Sequence, residues 1–187
     1  MNNIEYDDIK IKQELFIQDF NEILERQKEI KEYIELVFLC IGTDRMTGDS
    51  FGPLVGTKLQ ELLKERNIFN ISIYGTLNEN VSYTNVKEIV KVIREKHKNA
   101  CIIVIDSALS KEENIGKIFV QKGKMSLGKG LCKNKIEVGD ISIKAVVGKS
   151  YKLSKYNFLS LQNISLNIVI NLSEIVAEGI MNVIKYI

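Results

Sequence analysis

Apolar residues along this chain alternate between two patterns. Short unbroken runs, Leu36-Val-Phe-Leu-Cys-Ile41 and Cys101-Ile-Ile-Val-Ile105, have the length and composition of strands buried on both faces. Outside these runs the period changes. Leu15, Phe16, Phe20, Ile23, Leu24 and Ile30 recur at helical spacing and predict a charged amphipathic helix over about residues 9–31. Val55, Leu59, Leu62 and Leu63 form one apolar face of a second helix, which Pro53 opens. A third helix carries Val86, Ile89, Val90 and Ile93 along one side. The β-branched and aromatic run Ile71 to Leu77 predicts another strand, and Gly116–Gln121 and Asp140–Val147 predict two more.

This succession of strands and helices implies an α/β fold: three layers, α/β/α, around a mostly parallel five-stranded sheet. A length of 187 residues with 45% hydrophobic content suits one well-buried domain over residues 1–187. The connection between the fourth and fifth strands, with Gly123, Gly128 and Gly130, is long for a compact domain and reads as a loop. It is open to a binding or lid role, or to an ordinary excursion. The stretch Leu159 to Ile187 is apolar enough to raise the question of a membrane span. Asn163, Asn167, Asn171, Glu174 and Glu178 interrupt it on one helical face, as in a helix that covers a sheet.

Charge narrows the partners. Lys and Arg number 26 against 24 Asp and Glu, a net +2, which favours neither a nucleic-acid partner nor a membrane surface. From Lys117 to Lys135, Lys122, Lys124, Lys129, Lys133 and Lys135 accompany glycines and make the best candidate for a basic patch, either a solvated loop or a local binding surface. Cys40 and Cys101 lie in apolar strands and Cys132 in a loop, with no Cys-x-x-Cys pair, so a reducing compartment is implied. The acidic, polar start Met-Asn-Asn-Ile-Glu-Tyr-Asp-Asp is unlike a secretory signal, and a cytoplasmic location is expected.

Candidate chemistry is then largely a matter of elimination. His97 is the only histidine, and Lys96-His-Lys98 places it at the polar end of a helix, where a solvated side chain is expected. A histidine-rich zinc site cannot be assembled, no phosphate-binding glycine-lysine-serine triplet follows the first strand, and no cofactor or metal is expected. Cys132 would be a nucleophile only with a base or positive field beside it. What remains is carboxylate chemistry. In Cys40-Ile-Gly-Thr-Asp-Arg-Met-Thr-Gly-Asp-Ser-Phe-Gly-Pro53, two acids and an arginine crowd a glycine-punctuated turn directly after a buried strand.

Asp49 or Ser50 is placed to cap the following helix, and a cap is one reading of the motif. The other pairs Asp49 with Asp106, which ends the second buried strand and is followed by Ser107. A strand order of 2-1-3 would bring these two acids together where open α/β sheets bind ligands. Two facing carboxyls share one proton, so one takes a proton from water while the other donates to the carbonyl oxygen or leaving nitrogen of an amide. Asp44 is the spare acid. Arg45 pairs with it, orients a substrate carboxylate, or points to solvent.

The run at residues 41–53, with Leu54-Val-Gly56 and Tyr74-Gly-Thr-Leu77, resembles the YyaC-type sporulation proteins of endospore-forming Firmicutes, over most of the chain from about residue 35. That family is similar to the germination protease, which degrades small acid-soluble spore proteins. Both share the phosphorylase/hydrolase-like fold of the hydrogenase maturation proteases. The resemblance implies a threonine of the motif at Thr47, a first catalytic aspartate at Asp49, a glycine-proline pair at Gly52 and Pro53, and a second catalytic aspartate at Asp106 in Val104-Ile-Asp-Ser107. Asp44, Arg45, Thr47 and Ser107 would support or bind substrate. Thr43, Met46 and Gly48 depart from the family patterns, and the metal-recognising histidine of the maturation proteases has no match. The resemblance thus implies an aspartate-dependent endopeptidase of sporulation or germination, in the forespore or spore interior, acting on small spore proteins. Homo-oligomers are compatible with it. A non-catalytic peptide- or partner-binding protein that keeps the crevice, and a hydrolase of a small amide or nucleoside, are the competing readings.

Overall fold

A computed structural model describes residues 3–30, 32–66, 68, 70–127 and 136–184. Its elements are α1 Asn3–Ile30, β1 Glu35–Cys40, α2 Phe51–Arg66, β2 Ile71–Tyr74, α3 Val86–Lys96, β3 Ala100–Ser110, β4 Ile118–Lys122, β5 Met125–Leu127, β6 Ile136–Val138, β7 Ile141–Lys149, α4 Ser154–Gln162 and α5 Leu166–Ile184. A tight 3-10 turn, Thr47–Ser50, lies between β1 and α2.

The five-stranded sheet has the order β2-β1-β3-β7-β4. All its pairs are parallel except β4 with β7. The chain leaves β1 toward β2 on one side and returns through α3 to β3 on the other, so the topological switch falls between β1 and β3. Alternate side chains of each strand enter different cores, which is why the central strands are apolar throughout. Phe38, Cys40, Ile103, Ile105 and Ile143 pack with α1, α2 and α5 through Phe20, Leu59, Val176 and Ile180. On the opposite face Val37, Leu39 and Val104 meet Val86, Val90 and Ile93 of α3 and Met125, Leu127 and Val138 of β5 and β6. The result is the three-layer α/β/α arrangement with a mostly parallel sheet that the periodicity predicts.

Four local expectations need correction. Asp106 does not end its strand: β3 continues to Ser110 because β7 keeps pairing with it, with a bulge between Ala108 and Leu109. The connection between the two late strands is not simply a loop, since β5 and β6 form an antiparallel pair whose apolar residues close the second core. Cys132 and the lysines at 129, 133 and 135 lie outside the described residues.

The C-terminal stretch forms two helices. Asn163 ends α4, its side-chain amide bonding the Leu159 carbonyl at 2.8 Å and its backbone N–H turning back on Leu159 and Ser160. Among the described residues α5 is the one helix long and apolar enough to cross a membrane, but Val169, Leu172, Val176 and Ile180 are buried in the core.

His97 departs furthest from its expectation. It is 12% exposed and bonded on both ring nitrogens, Nδ1 to the Glu35 carboxylate and Nε2 to the Tyr74 hydroxyl, each at 2.8 Å. Glu35 starts β1 and Tyr74 ends β2, so the imidazole ties the end of α3 to two strands. Sequence neighbours Lys96 and Lys98 point outward and conceal this. His97→Ala leaves two partly buried polar groups without their partner and is expected to cost about 1–3 kcal/mol, read as a lowered urea midpoint with an unchanged slope.

Candidate active site

The site begins with the way the chain leaves β1. Ile41 N–H still bonds the Ile105 carbonyl of β3 at 2.7 Å, and Gly42 N–H bonds the Val81 carbonyl at 2.8 Å. At Gly42 the backbone turns at φ +143°, and a Cβ there would overlap the Asp49 carbonyl oxygen. The same carbonyl accepts the Thr43 N–H at 3.1 Å, closing a small ring from residue 43 to residue 49. The 3-10 turn inside the ring is fixed by Asp49 N–H to the Met46 carbonyl at 3.0 Å and by Ser50 Oγ to the Thr47 carbonyl at 2.7 Å. These bonds use the backbone and Ser50, and the turn starts at Met46 without a side-chain cap. The Asp49 carboxylate is left for other work.

Asp106 sits on β3 at the next position after Ile105, beside the point where β1 gives way to the turn. Its pKa is pushed up to about 8, first by burial and then by the negative charge of Asp49, while the Ser107 backbone N–H and the Lys144 ammonium oppose the rise. The Asp49 carboxyl is also raised, by burial, with the Thr43 backbone N–H pulling it back. The two acids therefore feel each other across the switch point between β1 and β3. With its pKa pushed up to about 8, Asp106 is a group that holds a proton at neutral pH.

The other expected residues divide into two groups. Thr47 and Ser107 belong to the pair's surroundings, Thr47 through the turn and Ser107 through its amide. Asp44 and Arg45 are exposed and lie outside the pair. Asp44 accepts Thr43 Oγ1 at 3.4 Å and Asn80 Nδ2 at 3.5 Å, and Arg45 donates its backbone N–H to Thr43 Oγ1 at 3.3 Å. No ion pair joins Arg45 to Asp44; Asn80, from the loop after β2, takes that place.

Lys144 belongs to no sequence motif of the site. It pairs in register with Asp106 across β3 and β7, so both side chains leave the same face of the sheet, and Phe119 of β4 stands on the far side of Lys144 in the same row. The signal in the sequence was a lone lysine inside Ile141-Ser-Ile-Lys-Ala-Val-Val147, where the other strand positions are buried. A cation in that position has a reason only if an anion faces it. Among the described residues no group of three or more His, Cys, Asp or Glu side chains is placed to hold a metal ion.

Sheet order and layering make this a three-layer α/β protein, and its fold is that of the hydrogenase maturation proteases. The structure of a [NiFe] hydrogenase maturation protease, HycI from Thermococcus kodakarensis KOD1, superposes with a TM-score of 0.52 over 81% of this chain and 92% of that one, at 20% identity. By sequence, the chain belongs to the family described as Protein of unknown function (DUF1256), matched over residues 8–179. It is 38% identical over 145 residues to the uncharacterized protein YyaC of Bacillus subtilis (strain 168), covering 78% of this chain and 67% of that protein.

Proposed function

We propose that this chain is a peptide-bond hydrolase in which Asp49 and Asp106 act as an acid–base pair on water. The observation that carries the reading is the pair itself: two carboxyls from separate elements, both raised, one by the charge of the other, at the switch point of the sheet. Ionised Asp49 takes a proton from a water molecule, whose oxygen adds to the amide carbon. Protonated Asp106 gives its proton to the carbonyl oxygen. Proton return to the nitrogen then breaks the C–N bond, releasing a carboxylic acid and an amine, and the pair regains its single proton. The shared fold of a maturation protease supports a protein substrate.

The finer assignment, to sporulation or germination, to the forespore interior and to small acid-soluble spore proteins as substrates, rests on the resemblance of residues 41–56 and 74–77 to the YyaC-type proteins. Incubation of purified small spore proteins with wild type, followed by mass spectrometry, tests it. Defined fragments are expected; intact protein at every pH favours a binding protein that retains the crevice.

Lys144 supplies a second test. The reaction needs Asp49 ionised and Asp106 protonated, so activity falls on the alkaline side as Asp106 loses its proton near pH 8. Lys144→Met removes a charge that favours the ionised form, so Asp106 keeps its proton longer. The alkaline limb of kcat/KM is expected to move up by about one pH unit. An unmoved limb takes Lys144 out of the site.

A further inference from the structure

Immediately beside the catalytic turn the surface changes character. Tyr151, Leu153, Tyr156, Phe158 and Leu159 are 45%, 56%, 45%, 53% and 48% exposed. No residue of α4 is buried. A short helix of this kind contributes little to a core, yet it is held firmly. Asn157 bonds the Tyr151 backbone twice, accepting its N–H at 2.6 Å and donating to its carbonyl at 3.0 Å. Ser160 Oγ donates to the Lys149 carbonyl at 3.0 Å. Leu161 and Ile164 press on Gly48 of the turn, where an added Cβ would lie 2.9 Å and 3.0 Å from them. The exposed side chains are thus fixed relative to Asp49 through one glycine.

The charge of this region is one-sided. From Ile141 to Ser173 the chain carries no Asp or Glu and has lysines at 144, 149, 152 and 155. Lys144 faces Asp106, and Lys149 is paired with Glu112 at 2.8 Å. Among the described residues no ion pair engages Lys152 or Lys155, and Lys155 lies 5.0 Å above the Tyr156 ring.

Resting on the hydrolytic reading of Asp49 and Asp106, we propose that α4 and the loop before it dock the substrate polypeptide, and that they select an acidic segment carrying apolar side chains. Lys152 and Lys155 would meet its carboxylates, and the aromatic and leucine side chains its apolar residues. A second copy of the chain is the poorer occupant, because a two-fold contact pairs this patch with itself, and residues 141–173 offer lysines but no Asp or Glu to complement them. Nucleic acid would use the lysines and rings but leaves Leu153 and Leu159 without a purpose.

The test uses the Asp106→Asn protein, so that the probe stays intact, and a fluorescent peptide of alternating Glu and Leu. Its affinity by anisotropy is expected to fall roughly tenfold in Lys152→Glu/Lys155→Glu and, independently, in Tyr156→Ser/Phe158→Ser. In otherwise wild-type protein the same changes should raise KM for cleavage with kcat unchanged. Unchanged affinity in both variants overturns the proposal. Tighter α4-dependent binding of an oligothymidine, or a solution dimer lost with Phe158→Ser, overturns it in favour of those occupants. Peptide that binds through α4 but is never cut by wild type leaves the docking surface standing and removes the hydrolytic reading. Cleavage with KM unmoved by either variant does the reverse.

Discussion

Asp106→Asn is expected to lower peptide hydrolysis by at least about a thousandfold while leaving peptide binding in place, because it removes the only protonated acid of the pair and little volume. Asp49→Asn should be as damaging, and the double replacement no worse than either alone, since the two carboxyls act as one unit. The Asp106 change also carries a signature that an indirect effect on folding would not reproduce. A carboxyl raised from 3.8 to about 8 binds more protons in the folded chain than in the unfolded one between those values. Wild-type stability is therefore full below about pH 4 and falls as pH rises through about 8. Asparagine does not titrate. The variant should gain on wild type across that window, by on the order of 1–3 kcal/mol once the partial exposure of Asp106 is allowed for. Urea midpoints at several pH values give the answer. A variant that loses stability with rising pH as wild type does would place the raised group elsewhere.

Gly42→Ala should be a severely damaging single-methyl change at the site. The φ of +143° is one that alanine resists, and its Cβ would overlap the Asp49 carbonyl oxygen while lying 3.0 Å from Pro53 Cδ. Relief requires the turn to move off the end of β1, which breaks the Thr43 bond to the Asp49 carbonyl and carries the Asp49 carboxylate away from Asp106. A loss of about 3 kcal/mol or more is expected. Hydrolysis per folded molecule should fall as well, because the pair is disassembled even where the chain remains folded. Denaturation monitored together with activity separates the two effects. A cost under about 1 kcal/mol with full activity would mean that the strand exit does not position Asp49.

Much of this arrangement is readable from the residues. The apolar runs ending at Ile41 and Ile105 identified the two central strands, because parallel strands covered on both faces have no polar alternation. Gly42, Asp49 and Pro53 marked the turn by their distinct backbone and capping preferences. The alternation of strands and helices pointed to a mostly parallel sheet, whereas the 2-1-3 order entered only as the condition that would bring Asp49 and Asp106 together, and the sheet order meets it. What escaped the reading was set by contacts distant in sequence. Lys144 acquires meaning only through its register with Asp106, His97 only through Glu35 and Tyr74, and the extent of β3 only through β7. The split between α4 and α5 depends on how Asn163 uses its side chain, which a face-counting argument treats as merely polar.

If Asp49 and Asp106 deliver water to a peptide bond, the oxygen of that water ends in the new C-terminus. The most direct measurement is digestion of a mixed peptide library in heavy-oxygen water by wild type and by Asp106→Asn, from acid to mildly alkaline pH, with mass spectrometry of the products. The pair should yield new C-termini carrying heavy oxygen in wild type alone, with a yield that declines above about pH 8. No labelled C-terminus from wild type at any pH, or equal labelling by the variant, would contradict the account.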